Sequence, residues 1–558
     1  MTQTMTPPKV PDDPDPLEPP RPRETPPTDA TRYLCAGAYL DSNFRDRSLR
    51  EVYHQPKRFI APSHGFDLVT VLQSCLRARR LAIWRDATIV LTLAVAAYLN
   101  WLSVAVVGAA LVCLRVTSAA GQLARDFVTR ARSGTADDTT KSSRRGLLLL
   151  LGWAATVIAL IALAARTFSL VAVPAAGVAG ISTRGALLLT LAAFVLPTVF
   201  ALWRQKRIEA FTLDGTPPPV HWTRRMRQIE EQEGGNTVVY SNYEPFIGSG
   251  DVVSSWSFAQ RLIEKDDEPP RPGIRPRPEG QREFPTPPFT AEQIVDYVRD
   301  RLKMLTEADS PELTIPDMSV QDRVFQSARE TGKRSLTMSP EEMAEIIRNP
   351  TNPQRHYLAC RGISWGGDVV TTVYVHLAVQ GKSLYLEVTS TTLAPCNEGY
   401  RIVDMDGGTG VRAWLRALLI GVRETPATIL RAPGRLIRSL ADVAGQGAGA
   451  GRPRSPGRRK DYGARASVRQ LGTRDRLRNF TQRQDIIKFR RLIESRVYAH
   501  VLDFLDDQKV DTTEVRAQRS NYLNIGMYVE GNVTAQRDVI GQNMPNPQPP
   551  NQDQGGSA

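Results

Sequence analysis

Between Asp86 and Arg115 the chain runs for 28 residues without a charge, and two further uncharged runs follow, 20 residues at 146–165 and 19 at 185–203. Each of the last two matches the ~20 apolar residues that one helix needs to cross a bilayer, with Pro197 a kink rather than a break. The first run is too long for one crossing. As a single helix it rises about 42 Å, and ~30 Å of hydrocarbon would force a tilt near ~45°, beyond the usual range. The pattern therefore predicts a helical hairpin over 81–121 that turns at YLNW, 98–101, and crosses fully or in part, followed by transmembrane helices over 146–165 and 185–203.

Charge supports the hairpin. The loop 122–145 and its flanks carry seven basic residues (Arg115, Arg125, Arg130, Arg132, Lys141, Arg144, Arg145) against three acidic ones (Asp126, Asp137, Asp138), and the positive-inside rule keeps such a loop in the cytosol. Arg204, Lys206 and Arg207 after the last span agree. Both termini are then cytosolic, in a multi-pass protein of the cell (plasma) membrane. The largest outward piece, 166–184, is small and apolar, which argues against a receptor for a large external ligand.

Outside 87–203 the periods shorten. Residues 29–80 read as short juxtamembrane helices with a turn at APSHG. NTVVYSNYEPFIGSGDVVSSWSFAQRL reads as strand, loop and strand, with Gly248 and Gly250 in the turn. FTAEQIVDYVRDRLKML sets Phe289, Ile294, Val295, Val298 and Leu302 on one face of a helix opened by Thr290. RHYLACRGISWGGDVVTTVYVHLAVQGKSLYLEVTSTTL alternates as strands around Gly366-Gly367 and Gln380-Gly381. Residues 236–405 are thus expected to form a cytosolic α+β domain on an antiparallel sheet, interrupted by a Pro-rich linker, 266–288. The expected fold class is a membrane-anchored multi-part protein: an α-helical transmembrane region (helical hairpin plus two spans), a cytosolic α+β domain and a C-terminal helical module.

SNYEPFIGSG, followed by WSFAQRL, RHYLACRGISWGGDVVTT and GKSLYLEV, resembles a group of uncharacterised integral membrane proteins of high-GC actinobacteria, and TRYLCAGAYLD with APSHGFDL before the spans is similar to the same group. The resemblance covers about half of the chain and the order of its parts. It implies an architecture and no established activity.

Composition changes the picture in three places. The 40 prolines fall largely in stretches that bury no core, among them the tail 1–28, which lacks the basic and apolar regions of a signal peptide and is expected to be disordered with polyproline II character. The five cysteines form no CxxC pair, which favours free thiols in a reducing compartment. The charge is concentrated late: from Val411 to Arg478 there are 16 Lys and Arg against Glu424, Asp442, Asp461 and Asp475, a net of +12 in a chain of +13.

Within that zone 411–445 reads as basic amphipathic helices broken at Pro426 and Pro433, with Val411, Trp414, Leu415, Leu418, Leu419 and Val422 along one side. Arg412, Trp414, Arg416, Leu418, Arg423, Arg431 and Arg435 are its candidate membrane-surface residues. An anionic inner leaflet is the preferred partner, since each basic residue near it contributes about 1 kcal/mol. A packed domain helix is the alternative, and nucleic acid is the least favoured partner. Residues 446–478 follow as a basic linker. The C-terminal module, 479–541, has a helix whose stripe Ile486, Phe489, Ile493, Val497, Val501 and Leu505 must bury against something, then DTTE as a capping box, then weak strands whose glycine spacing resembles the tails of some bacterial conflict-system proteins. Residues 542–558 are expected to be a disordered tail.

No catalytic, cofactor-binding or metal-ligating residue is assigned. Gly248-Ser249-Gly250 does not clearly open a helix, as a phosphate loop must. His356 and Cys360 fall on one face of a strand and could join Asp368 or Asp404 in a thiol set, but the preferred reading is a buried small hydrophobic cysteine beside a strand-start histidine. No cofactor is expected. The preferred function is a non-enzymatic scaffold or adaptor at the inner leaflet, with a protein partner or self-association through the C-terminal helices. The alternatives are a membrane-associated enzyme using 236–405, and a self-associating conflict or defence component.

Overall fold

The computed structural model describes residues 27–99, 101, 178–213, 215–241, 243–266, 277–307, 315, 317–328, 337–404, 410–447, 462–473 and 479–517. The span expected at 146–165, the loop 122–145, the second leg of the hairpin and the tail strands lie outside these residues.

Six strands make one mixed sheet in the order β1-β3-β4-β5-β6-β2. They are β1 Thr237–Tyr240, β2 Asp251–Arg261, β3 Met318–Ser327, β4 Arg355–Ser364, β5 Val369–Gln380 and β6 Ser383–Leu393. β3 to β6 form an antiparallel meander, β2 adds antiparallel to β6, and β1 adds parallel to β3. The chain can enter β2 so sharply because Gly250 adopts φ +89°, and a Cβ there would lie 2.0 Å from the carbonyl oxygen of Thr392.

β5, VVTTVYVHLAVQ, is buried along nearly its whole length, as a strand covered on both faces must be. On one face Leu358, Val373, Val375, Leu386 and Val388 pack under the helices Ala291–Glu307 and Phe480–Asp507. On the other, Tyr374 stacks on Phe246 at 4.7 Å, beside Phe325 and Tyr357. Helix α1 (Asp29–Leu40), helix α2 (Ser42–Ser48) and the start of helix α3 (Leu68–Leu99) build a second core, in which Leu34, Leu72 and Cys75 meet Cys396, Tyr400, Val403 and Val468. Residues 29–80 are thus fused to the sheet domain.

Among the described residues two helices are long and apolar enough to cross a bilayer, α3 and the stretch from Leu188 of α4 (Val178–Glu209). α3 corrects the hairpin expectation in one respect. It runs unbroken through Tyr98 and Leu99, and Trp101 is helical as well, because the apolar leg continues a helix already started on the N-terminal core. α4 begins earlier than expected, at Val178.

After helix α5 (Arg224–Glu233), three more readings change. In the linker 266–288, the described residues from 277 onward hold the short helix α6 (Glu279–Arg282), where Arg282 reaches Asp511 at 3.0 Å and Glu283 bridges to Ile263. The amphipathic helix is present as α7 (Ala291–Glu307), its five expected apolar residues all buried, and α8 (Pro340–Arg348) opens with a full capping box, Ser339 and Glu342. Pro426 and Pro433 do not break the basic segment. It is one helix, α9 (Gly410–Gly447), packed on both α3 and α4, and that packing offsets the ~3 kcal/mol an interior proline costs.

The basic linker 446–478 is ordered over 462–473, where helix α10 (Val468–Leu471) inserts Arg469, fully buried, into the sheet domain. Ala464 extends the edge of β1, its amide donating to Val239 at 2.8 Å. The helix read as the head of a C-terminal module is α11 (Phe480–Asp507), and its stripe Ile493, Val497, Val501 and Leu505 closes the sheet. Helix α12 (Thr513–Ala517) follows, after Asp511 accepts from the amide of Thr513 at 3.1 Å.

Candidate functional site

The helices α3, α4 and α9 meet where their apolar stretches give way to charge. α9 packs through small residues: Ala413, Ala417, Gly421, Thr425 and Ala432 are buried, four to a turn-and-a-bit apart on one ridge, which lets helix backbones approach closely. A Cβ on Gly421 would lie 2.9 Å from the Cα of Thr198 and 3.0 Å from the Cβ of Ala201. Lower down, Ile429 and Ala432 pack on Ile89 of α3. The large apolar residues of α9 face outward instead. Leu419 is 68% exposed, Leu415 53% and Trp414 37%.

Beneath this contact a cleft of about 1260 Å³ opens between α2, the turn after it, α3, α4 and α9. α2 contributes Arg45 and Asp46, the π-helical turn Leu49–Tyr53 after it Arg50, and its end His54; α3 gives Arg79, Arg85 and Asp86; α4 gives Arg204; α9 gives Glu424, Arg431, Arg435, Arg438 and Asp442. Its four carboxylates are all engaged. Asp86, 4% exposed, is held by Arg85 at 2.9 Å and by Arg435 at 3.0 Å. Asp442 pairs with Arg79 at 3.4 Å, Glu424 with Arg204 at 3.7 Å and Asp46 with Arg45 at 2.9 Å. Arg79 also donates to His54 Nε2 at 3.0 Å. Burial first, and then the Arg79 guanidinium, lower the His54 pKa, so the ring accepts as a neutral imidazole. Burial and Arg85 likewise pull the Arg435 pKa below its ordinary value, against Asp86.

Of the seven residues proposed from sequence, Arg431 and Arg435 line this cleft, while Arg412, Arg416 and Arg423 lie exposed on α9 with Trp414 and Leu418. The sequence reading missed Arg45, Arg50, Arg79, Arg85, Arg204 and Arg438. Arg204 was visible as the basic flank of an apolar run and was used only for topology; Arg45 and Arg50 carry no local signal.

The model of the AbeC-like domain family matches residues 255–536, just over half of the chain. The chain belongs to the AbeC-like domain family. No curated protein and no solved structure matches it. The match fits the expected membership of an uncharacterised family, while actinobacterial membrane proteins stay a resemblance. The AbeC-like region takes in the latter part of β2 from Ser255, then β3 to β6, α7, α9 and α11, whereas α3 and α4 precede it. One wall of the cleft therefore belongs to the AbeC-like region and the others to helices outside it.

The thiol set considered from sequence is not assembled. Cys360 is fully buried in the apolar layer under α7 and α11, and burial pushes its pKa up to about 12. His356 shares its side of β4 but bonds Asp322, Nε2 to Oδ1 at 2.8 Å. Asp368 is taken by Arg401 and the amide of Cys396, and Asp404 by Arg32 and Tyr33. Ser249 Oγ lies 2.5 Å from the Tyr374 hydroxyl, in a turn that leads into β2 and not into a helix.

The Asp322 site yields a prediction. Burial would raise its pKa, but the hydrogen bonds from His356 and Arg299 outweigh burial and hold it at about 2. A carboxyl lowered on folding stabilises the protein above its unfolded pKa of ~4, and that contribution is lost as the pH falls towards the folded value. Asp322→Asn should remove about 2 kcal/mol at neutral pH and flatten the melting temperature between pH ~4 and ~2. Parallel profiles of variant and wild type would show that Asp322 does not carry the acid response.

Proposed function

We propose that this AbeC-like protein is a non-enzymatic scaffold anchored in the cell membrane, holding its sheet domain at an anionic inner leaflet for cytosolic partners, multi-pass with both termini inside. The observation that carries this reading is the three-helix contact. α9, inside the AbeC-like region, packs by its small ridge on the two apolar helices, while Leu91 (66% exposed), Leu188 (66%) and Leu419 (68%) are left at the surface. Exposed apolar area of this kind on long helices is unfavourable in water and favourable in lipid. Gly421 meets Thr198 about 9 Å along α4 from Arg204, so the outward stripe of α9 sits near the level where headgroups begin. There Trp414 and Leu418 would insert, and Arg412, Arg416 and Arg423 would reach the phosphates. The sheet has both faces filled, which suits a partner-binding edge or surface better than a substrate pocket.

The test is single-cysteine labelling in intact cells, with the native cysteines replaced. A cysteine at Lys382, in the β5–β6 turn, should be blocked until the membrane is permeabilised, and the protein should stay in the pellet through alkaline carbonate washing. Labelling of Lys382→Cys from outside would reverse the orientation, and release by carbonate would remove the anchor.

A further inference from the structure

The cleft holds more cationic charge than the described residues neutralise. Eight arginines face four carboxylates, each of which already has an arginine partner. Arg50, Arg431 and Arg438 line the cleft with exposed side chains and make no ion pair with any described residue. Guanidinium groups gathered on low-dielectric walls raise the local potential and draw in counter-anions. Their planar forks match phosphate oxygens better than chloride.

We propose that this cleft is a binding site for a phosphate-bearing anion, with Arg50, Arg431 and Arg438 as its principal ligands. The paired arginines have a different task. Arg435 on Asp86 and Arg79 on Asp442 and His54 fasten α9 to α3 and fix the spacing between the walls that carry the free ones. Two sources can supply the phosphate, a phospholipid headgroup or a soluble phosphate. The lipid source rests on the membrane-anchored reading, because it needs the foot of α3 and α4 at headgroup level. The anion site itself does not.

The test uses the full chain purified in neutral detergent. Melting is followed against inorganic pyrophosphate at constant ionic strength, and binding against phosphatidylcholine vesicles with and without phosphatidylglycerol. The expected result is a rise in melting temperature with pyrophosphate, a preference for the phosphatidylglycerol vesicles, or both. The triple variant Arg50→Gln, Arg431→Gln, Arg438→Gln should bind at least tenfold more weakly, with its melting temperature in the absence of anion unchanged or higher. The control Arg412→Gln, Arg416→Gln, Arg423→Gln removes the same charge from the exposed side of α9 and should leave pyrophosphate binding intact. Pyrophosphate binding without lipid preference supports the site with a soluble ligand; lipid preference alone supports it with a headgroup. Equal losses in the two triple variants would replace the site with diffuse surface charge, and failure of both probes would overturn it. Carbonate release with pyrophosphate binding retained would overturn the anchor and leave the anion site standing.

Discussion

Asp368→Ala is expected to destabilise the protein by about 3–5 kcal/mol, because it removes the counter-charge of a buried arginine. Asp368 is 2% exposed and Arg469 fully buried. The carboxylate accepts from the Cys396 amide at 2.8 Å, pairs with Arg401, and lies 3.9 Å from Arg469 Nη2, which also donates to the carbonyls of Asp368 at 2.7 Å and Ala394 at 3.0 Å. Alanine leaves two guanidinium groups and one amide without this acceptor. The melting temperature should fall by ~10 °C for a domain of this size. The double variant Asp368→Ala, Arg469→Met should recover part of the loss, since the uncompensated charge is then gone. A single variant within 1 °C of wild type, or a double variant that is simply additive, would show that Arg469 is held by its carbonyl partners and not by the carboxylate.

Gly421→Leu should separate the AbeC-like helix from the apolar helices. The first added carbon already meets backbone at 2.9 Å, and a backbone neighbour cannot rotate away as a side chain can. Overpacking of this kind costs about 1–3 kcal/mol, and occasionally more. α9 is then expected to become a trypsin substrate at Arg423 and Arg431 in detergent, while α11 stays protected by its buried stripe on the sheet. Gly421→Ala should fall between the two. Equal protection of α9 in wild type and Gly421→Leu would mean that the helices do not approach at this point.

What was legible in the sequence was what local period determines. Ile294, Val295, Val298 and Leu302 mark one helical face and are buried, as is Phe289 just before the helix. The turns at Gly366-Gly367 and Gln380-Gly381 separate the strands as expected. Pro426 and Pro433 misled because the rule for proline is local, whereas α9 is held by two neighbouring helices. Arg469 looked like one of ten basic residues in a linker, and its burial depends on Asp368, 101 positions away. The cleft was not legible at all, since its walls come from residues as far apart as Arg45 and Asp442. Charge counting located the basic zone; only the packing of α9 on α3 decides which arginines meet.

The second core has a consequence for how the chain is made. Leu34, Leu72 and Cys75 leave the ribosome early, yet they share their core with Tyr400, Val403 and Val468. At ~5–20 residues per second, the ~390 residues from Ala78 to Val468 take about 20–80 s to synthesise. Ile208, Phe211, Met226 and Ile229 supply part of the cover for α1 and the foot of α3 partway through that interval, and the rest arrives only with Tyr400, Val403 and Val468. The N-terminal helices therefore hold only part of their native contacts until the last residues of this core have been made.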